Sequence, residues 1–147
     1  MFRGSYGVRV DDKGRLKLPA DFKRFLDEEY RSNLFYVTSR DGRRGQLYPM
    51  REWEVVEQKL AQMPDSDPAK RKLVDVTNYF GQTAELDGQG RLTLPQLLRE
   101  RTKLTGEVMV LGSQKLIEVA NRETFESGME ADPINAADLA TLARYQL

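Results

Sequence analysis

The chain has 147 residues, of which 39% are hydrophobic and 31% charged, enough to fold as one compact body or as two small halves sharing a core. It contains no cysteine and no histidine, which excludes a disulfide framework, zinc sites of the thiolate or imidazole type, and serine-histidine or cysteine-histidine catalysis. The 23 basic residues balance the 23 acidic ones, so net charge predicts neither a nucleic-acid nor a membrane partner. No apolar stretch approaches the roughly 20 residues of a membrane span, and the N-terminus lacks a secretory apolar core, so we expect a cytoplasmic protein.

The charges are distributed unevenly along the chain. From Met1 to Lys17 there are five basic and two acidic residues, whereas from Asn121 onward there are two basic and five acidic residues. A basic segment at one end and an acidic segment at the other is a sequence feature of some proteins that bind nucleic acids. We therefore expect any such interaction to involve the N-terminal segment.

The first predicted element is a β-hairpin, in which strands 6–10 and 15–18 flank a turn of the pattern Asp-x-x-Gly-Arg. The carboxylate of Asp11 can accept hydrogen bonds from backbone N–H groups two or three residues on, and Gly14 can adopt the positive φ that closes the turn. Because side chains alternate along a strand, apolar residues face a core and the opposite face carries Arg9, Arg15 and Lys17. A two-stranded ribbon is marginally stable alone, so this hairpin requires a covering partner.

Helices flank a pair of strands in the rest of the first half. The pattern predicts helices at 20–30, 51–62 and 69–80 and strands at 34–37 and 46–48, with a turn-rich break at 63–68. The tip between the two strands, Arg40–Gly45, superficially resembles a basic phosphate-gripping loop. We interpret it as a solvated hairpin tip.

The second half repeats this order of elements. The segments 11–19 and 87–95 lie 76 positions apart and agree at six of nine positions. A helix at 96–103, strands at 108–111 and 116–119, and a helix start near Asn121 follow in the same order. We therefore predict an α+β fold of two pseudo-symmetric β-barrel-like repeats with flanking helices, the first spanning 1–80 and the second 81–147. The hairpin of the second repeat supplies the partner that the first requires, so we expect the two hairpins to interlock into one core.

The second hairpin, 82–94, is less basic than the first. Glu85, Arg91 and Thr93 stand where the first hairpin has its three basic residues. The first hairpin is therefore the more basic surface, and we expect the second to be structural. To the turns we assign a structural role, carried by Asp11, Gly14, Asp87, Gly90 and Arg91.

The C-terminal segment, 132–147, predicts a short helix after Pro133. Its apolar residues are Ile134, Leu139, Leu142 and Tyr145, roughly on one side of a helix. We expect this helix to pack on the core of its own chain, in preference to forming an arm that binds a partner.

Two interpretations of the repeated arginine remain open from the residues alone. A β-ribbon fits the major groove of B-DNA, where arginine can pair bidentately with guanine and lysine can meet phosphates. Equally, Arg15 and Arg91 could pair with Asp11 and Asp87 simply to stabilise their turns.

The chain resembles the MraZ family, which belongs with the SpoVT/AbrB swapped-hairpin transcription factors. The resemblance runs from Met1 to about Phe125 and departs at 119–121 and Phe125, where many members have tryptophans. It is carried by Met1-Phe2-Arg3-Gly4, the doubled Asp-x-x-Gly-Arg-Leu-x-Leu-Pro, Leu47-Tyr48-Pro49 with Trp53, and Glu107-Val108-Met109-Val110-Leu111-Gly112.

The resemblance implies a nucleoid-associated DNA-binding transcriptional regulator of the bacterial cell division and cell wall gene cluster, which we expect to be a repressor. Members bind double-stranded DNA at direct repeats upstream of their own gene and assemble into rings, so the implied partners are promoter DNA and further copies of the chain. No cofactor, metal, membrane or small-molecule substrate is implied. Transferred by position, the DNA-contacting candidates are Arg15 first, then Arg3, Arg9, Lys13 and Lys17.

Three alternatives have weaker support. An antitoxin-like protein would need a long disordered tail, whereas a second repeat occupies that region. An enzyme would need shielded carboxylates, whereas Asp11, Asp12, Glu85 and Asp87 fall at or beside exposed turns near arginines. A ring-forming scaffold could use aromatic residues as interface anchors, namely Tyr48, Trp53, Tyr79 and Phe80.

Overall fold

The computed structural model describes residues 1–147 and contains eight strands and six helices. The strands are β1 (Ser5–Val10), β2 (Arg15–Lys17), β3 (Leu34–Thr38), β4 (Gly45–Pro49), β5 (Gln82–Glu85), β6 (Arg91–Thr93), β7 (Gly106–Ser113) and β8 (Leu116–Asn121). The helices are α1 (Ala20–Glu29), α2 (Met50–Ala61), α3 (Pro68–Tyr79), α4 (Gln96–Thr102), α5 (Arg122–Ala131) and α6 (Ala136–Ala143). The prediction of a mixed α+β fold is confirmed.

The strands of the two repeats are interleaved. Six strands form one antiparallel sheet in the order β1-β7-β8-β4-β3-β5, and β2 pairs with β6 in a separate two-stranded sheet. The first strand of each repeat therefore pairs with a strand of the other repeat, β1 with β7 and β5 with β3. The six-stranded sheet is open at both edges, so the predicted barrel-like closure is absent.

The two strands of the first predicted hairpin, β1 and β2, share the predicted turn but do not pair with each other along their lengths. Their turn is present, since Asp11 N donates to Arg15 O at 3.0 Å and Gly14 N donates to Asp11 O at 2.9 Å. Beyond the turn β2 leaves β1 and pairs with β6, and Leu18 N donates to Gly90 O at 2.9 Å. The backbone hydrogen bonds expected within one repeat are thus made between repeats.

A single hydrophobic core joins the two halves. Leu16 of β2 and Leu92 of β6 are fully buried opposite one another. They belong to one cluster with residues of both repeats, including Phe22, Phe35 and Leu98. Truncating a buried leucine typically costs about 2–5 kcal/mol, so the pairing of the two repeats contributes directly to stability.

The connecting helices begin and end within one residue of their predicted positions. The side chain of Asp67 caps α3 by accepting from Ala69 N at 2.9 Å, and Pro68 occupies the first turn, where its missing N–H is harmless. Trp53 of α2 stacks on Tyr36 at 4.4 Å between ring centroids. Because Trp53, Tyr48 and Phe80 are all buried in the monomer, they are unsuited to the interface role considered above, whereas Tyr79 is exposed.

The prediction that the C-terminal helix packs on its own core is wrong. Leu139 is 59% exposed and Tyr145 73% exposed, and α6 has no buried residue. The helix is held locally by a capping box between Asn135 and Asp138. An apolar stripe predicts that one face of a helix will be covered, but it does not predict which surface will cover it. Here the core is formed by residues of the two repeats and includes none from α6.

No helix of the protein is long and apolar enough to cross a bilayer.

Candidate nucleic-acid interface

Asp11 organises the first turn through both of its carboxylate oxygens. Oδ1 accepts from the backbone N of Lys13 at 3.0 Å and of Arg15 at 2.8 Å, and Oδ2 accepts from Arg15 Nε at 2.7 Å. The backbone N–H of Arg15 is the largest cause that lowers the pKa of Asp11 below its ordinary value, so the carboxylate stays ionised. Gly14 has a φ of +79°, as its place in the turn requires.

The second turn repeats this arrangement. Asp87 Oδ1 accepts from Gln89 N at 2.8 Å and Arg91 N at 3.0 Å, and its Oδ2 accepts from Arg91 Nε at 2.9 Å. The pKa of Asp87 is lowered for the same reason, first by the backbone N–H of Arg91. Gly90 has a φ of +73°. Both carboxylates therefore accept hydrogen bonds from residues of their own turns. Acid-base catalysis would instead need a pair of carboxylates in a site shielded from solvent.

The turn-stabilising interpretation of Arg15 does not exclude the recognition interpretation. Its bond to Asp11 uses Nε, and neither terminal nitrogen of the guanidinium makes a hydrogen bond within the protein. The side chain is 27% exposed. Arg15 is thus oriented by Asp11 while its two terminal nitrogens remain available to a ligand.

The β2–β6 ribbon gathers basic side chains from both repeats on one face. In its register Arg15 lies opposite Thr93, Leu16 opposite Leu92, and Lys17 opposite Arg91. Since Leu16 and Leu92 point into the core, the alternation of a strand turns the other two pairs outward. The sequence alone assigned Arg91 a structural role, because the second hairpin is the less basic of the two; the register of β2 with β6 places it on the same face as Lys17.

The remaining candidates are more dispersed. Lys13 is exposed in the first turn. Arg9 lies on β1 opposite Glu107 of β7, in the larger sheet. Arg3 precedes β1, whose six residues rise about 3.3 Å each, so it lies more than about 15 Å from the first turn. The structure therefore brings Arg15, Lys17 and Lys13 together and leaves Arg3 and Arg9 at the periphery.

A basic residue that sequence analysis missed lies against the first turn. Arg99 of α4 packs its guanidinium on Gly14, and its Nε donates to Leu94 O at 3.0 Å. No sequence signal links residues 85 positions apart in different repeats. This proximity follows from the interleaving of the strands.

The arginine-rich tip is occupied by its own hydrogen bonds. Asp41 Oδ1 accepts from the backbone N of Arg43 at 2.9 Å and of Arg44 at 3.1 Å, and the guanidinium of Arg44 lies 5.1 Å from the ring centroid of Phe125. The N–H groups that a phosphate loop would direct at a ligand therefore bind an aspartate instead. No group of three or more acidic side chains is placed to hold a metal ion.

Comparison with known proteins supplies the family. A family model described as "MraZ protein, putative antitoxin-like" matches residues 1–76 and 81–143. This chain belongs to the MraZ family. The "Transcriptional regulator MraZ" of Acidobacterium capsulatum is 55% identical over 147 residues and covers all of both chains.

Further MraZ relatives carry the same description. The protein of Koribacter versatilis is 49% identical over 143 residues, 97% of each chain, and that of Escherichia coli O127:H6 is 33% identical over 141 residues, 96% of this chain and 92% of the relative. Both are named transcriptional regulators, which is not an enzyme class. The resemblance inferred from the sequence is confirmed, and the matches support transcriptional regulation for this MraZ chain.

Proposed function

We propose that this MraZ protein is a sequence-specific DNA-binding regulator that inserts the outer face of its β2–β6 ribbon into the major groove. The observation that carries the proposal is the ribbon itself, in which Arg15 and Lys17 face outward while Leu16 anchors the inner face in the core. A two-stranded ribbon has the width to enter the major groove of B-DNA.

Arg15 is the proposed base-reading residue. Its Nε is held by Asp11, which limits the orientations of the guanidinium and leaves both terminal nitrogens without a partner in the protein. Arginine pairs bidentately with the O6 and N7 atoms of guanine. Lys13 and Lys17 are proposed phosphate contacts beside it, and Arg3 and Arg9 more distant ones. Arg91 retains the structural role at the second turn, although it shares the outward face.

The proposed target rests on the family resemblance. We infer repression of a cell division and cell wall gene cluster, through direct repeats upstream of the protein's own gene, in the nucleoid of the cytoplasm. The first turn supports recognition of a short element, since it presents one arginine fixed by one aspartate.

A ring of several copies is the proposed assembly. One small basic ribbon neutralises few phosphates and would bind weakly alone. Several ribbons on one ring would gain avidity if their spacing matched the DNA repeats. The exposed apolar side chains of the C-terminal segment support self-association, because Leu139 of α6 and Tyr145 just after it are not buried in the monomer.

The decisive experiment is a titration of a fluorescent duplex carrying several direct repeats from upstream of the protein's own gene. We expect tight, salt-sensitive binding that Arg15→Ala abolishes and Arg91→Ala only weakens, both variants remaining folded by circular dichroism. Arg71→Ala, which removes an exposed, unpaired arginine of α3, is the charge-matched control and should bind as the parent does. Equal losses for Arg15→Ala and Arg91→Ala would assign recognition to both turns. No binding by the parent to repeats or to random duplex would reject the regulator proposal in favour of a scaffold.

A further inference from the structure

Arg99 crosses from the second repeat to the first turn. An ideal Cβ built on Gly14 would lie 2.3 Å from Arg99 Cζ and 2.4 Å from its Nε, so the guanidinium occupies the space that any side chain at position 14 would need. Its Nε donates to Leu94 O at 3.0 Å, and Leu94 N donates to Gly14 O at 2.9 Å. Leu94 thus fixes both the turn and the arginine that covers it.

The second turn has no equivalent of this arginine. The residue 76 positions before Arg99 is Lys23, and its ammonium pairs with Asp27 on its own helix. Nothing lies within 4 Å of a Cβ built on Gly90. The two turns therefore have the same internal hydrogen bonds, but only the first has a guanidinium packed against it.

The charge of Arg99 is not neutralised within the protein. Arg15 and Arg91 each pair with the aspartate of their own turn, whereas Arg99 forms no ion pair. The bond to Leu94 O is the one hydrogen bond of its side chain, so both terminal nitrogens are free, and the residue is half-buried. Gly14 stands between Lys13 and Arg15, which places three cations around one turn.

We propose that Arg99 contacts a DNA phosphate beside the first turn, so that the second repeat completes the interface of the first. This inference rests on the proposed function and deepens it. A phosphate is the expected ligand because the Nε bond holds the guanidinium against the turn rather than on the outward face of the ribbon. Contacts of this kind orient a protein on the duplex and carry no sequence information. The two turns look alike in sequence, but the contact made by Arg99 would give the first turn the higher affinity for DNA.

The test measures how the affinity for the repeat duplex depends on salt. Each phosphate neutralised contributes about 0.9 to the slope of log K against log salt. A variant that has lost one contact should therefore lose roughly 3.5-fold less affinity than the parent when the salt concentration rises fourfold. Arg99→Gln is the main variant, because glutamine removes the charge and can still donate to Leu94 O. Arg99→Lys restores the charge, and Arg101→Ala removes a charge from the same helix, where Arg101 contacts Tyr79 instead.

We expect Arg99→Gln to lower the slope by about one, with parental slopes for Arg99→Lys and Arg101→Ala. A parental slope for Arg99→Gln would overturn the inference even if its affinity or thermal stability fell, because a merely structural role does not change the number of phosphates contacted. The proposed function would survive that result, since the parent would still bind. Failure of the parent to bind any duplex would overturn both.

Discussion

Lys17 of β2 lies directly opposite Arg91 of β6, although each comes from a different repeat and both are positively charged. Like charges in directly opposed positions of an antiparallel pair are destabilising. The second repeat has Thr93 at the position equivalent to Lys17, so the repulsive pair is absent from the other end of the ribbon, where Arg15 faces Thr93. A destabilising pair on an outward face is consistent with a surface arranged to bind an anion.

Replacing Lys17 with threonine should separate stability from DNA binding. Lys17→Thr copies the residue of the second repeat and removes the cross-strand repulsion, which the ion pair of Arg91 with Asp87 already weakens, so we expect the free energy of unfolding to rise by less than about 1 kcal/mol. The affinity for the repeat duplex should fall at the same time, with a lower salt slope. Urea denaturation and duplex titration of the same preparation measure both. A variant that is less stable than the parent would show that the two cations do not repel each other.

The two turn glycines should respond differently to the same substitution. Alanine at either position must adopt a positive φ, at a cost of about 1–2 kcal/mol. Gly14→Ala must also displace the guanidinium of Arg99 and break its bond to Leu94 O, whereas Gly90→Ala meets nothing within 4 Å. We expect Gly14→Ala to destabilise by about 1 kcal/mol more than Gly90→Ala in urea denaturation. Equal losses would mean that Arg99 moves aside without cost.

Acid should weaken the turns through Asp11 and Asp87. Hydrogen bonds hold both pKa values below the ordinary value of 3.8, so these carboxylates contribute stability that is fully present above that value. The contribution is lost as pH falls through the lower pKa values of the folded state, when the carboxylates become protonated.

The pH dependence can be checked by urea denaturation of the parent and of the double variant Asp11→Asn, Asp87→Asn between about pH 7 and about pH 2. The stability difference between them should be constant above about pH 5 and should shrink below about pH 4. A difference that stays constant down to pH 2, or that shrinks already near neutrality, would contradict the role given to these carboxylates.

The exposed stripe of α6 should be needed for assembly and not for the fold of the monomer. Leu139→Glu places a charge on the apolar face, and we expect a lower oligomeric mass by light scattering with an unchanged circular dichroism spectrum. Thr141→Glu adds the same charge about 200° around the same helix and should assemble like the parent. Loss of assembly in both variants would indicate a general charge effect, and loss in neither would leave α6 without a part in the ring.

Local structure was predictable from the sequence, and strand partners were not. The turn pattern predicted the hydrogen bonds accepted by Asp11 and the positive φ of Gly14, because both depend on residues within four positions. The pairing of β1 with β7 joins residues about 100 positions apart. Pairing of β1 with β2 would bury the same alternate apolar side chains, so the sequence pattern does not distinguish the two partners. The position of Arg99 on Gly14 and the outward placement of Arg91 follow from that pairing, so they could not be derived from one hairpin.

The most direct test of base recognition by the ribbon compares the parent with Arg15→Lys on repeat-bearing and scrambled duplexes at one salt concentration. Lysine keeps the charge but cannot form the bidentate pair with guanine or the fixed Nε bond to Asp11. We predict that the ratio of specific to scrambled affinity falls by roughly 5- to 150-fold, which corresponds to about 1–3 kcal/mol, while binding to scrambled duplex is retained. An unchanged ratio in Arg15→Lys would contradict base reading by this residue and leave the ribbon with a purely electrostatic role.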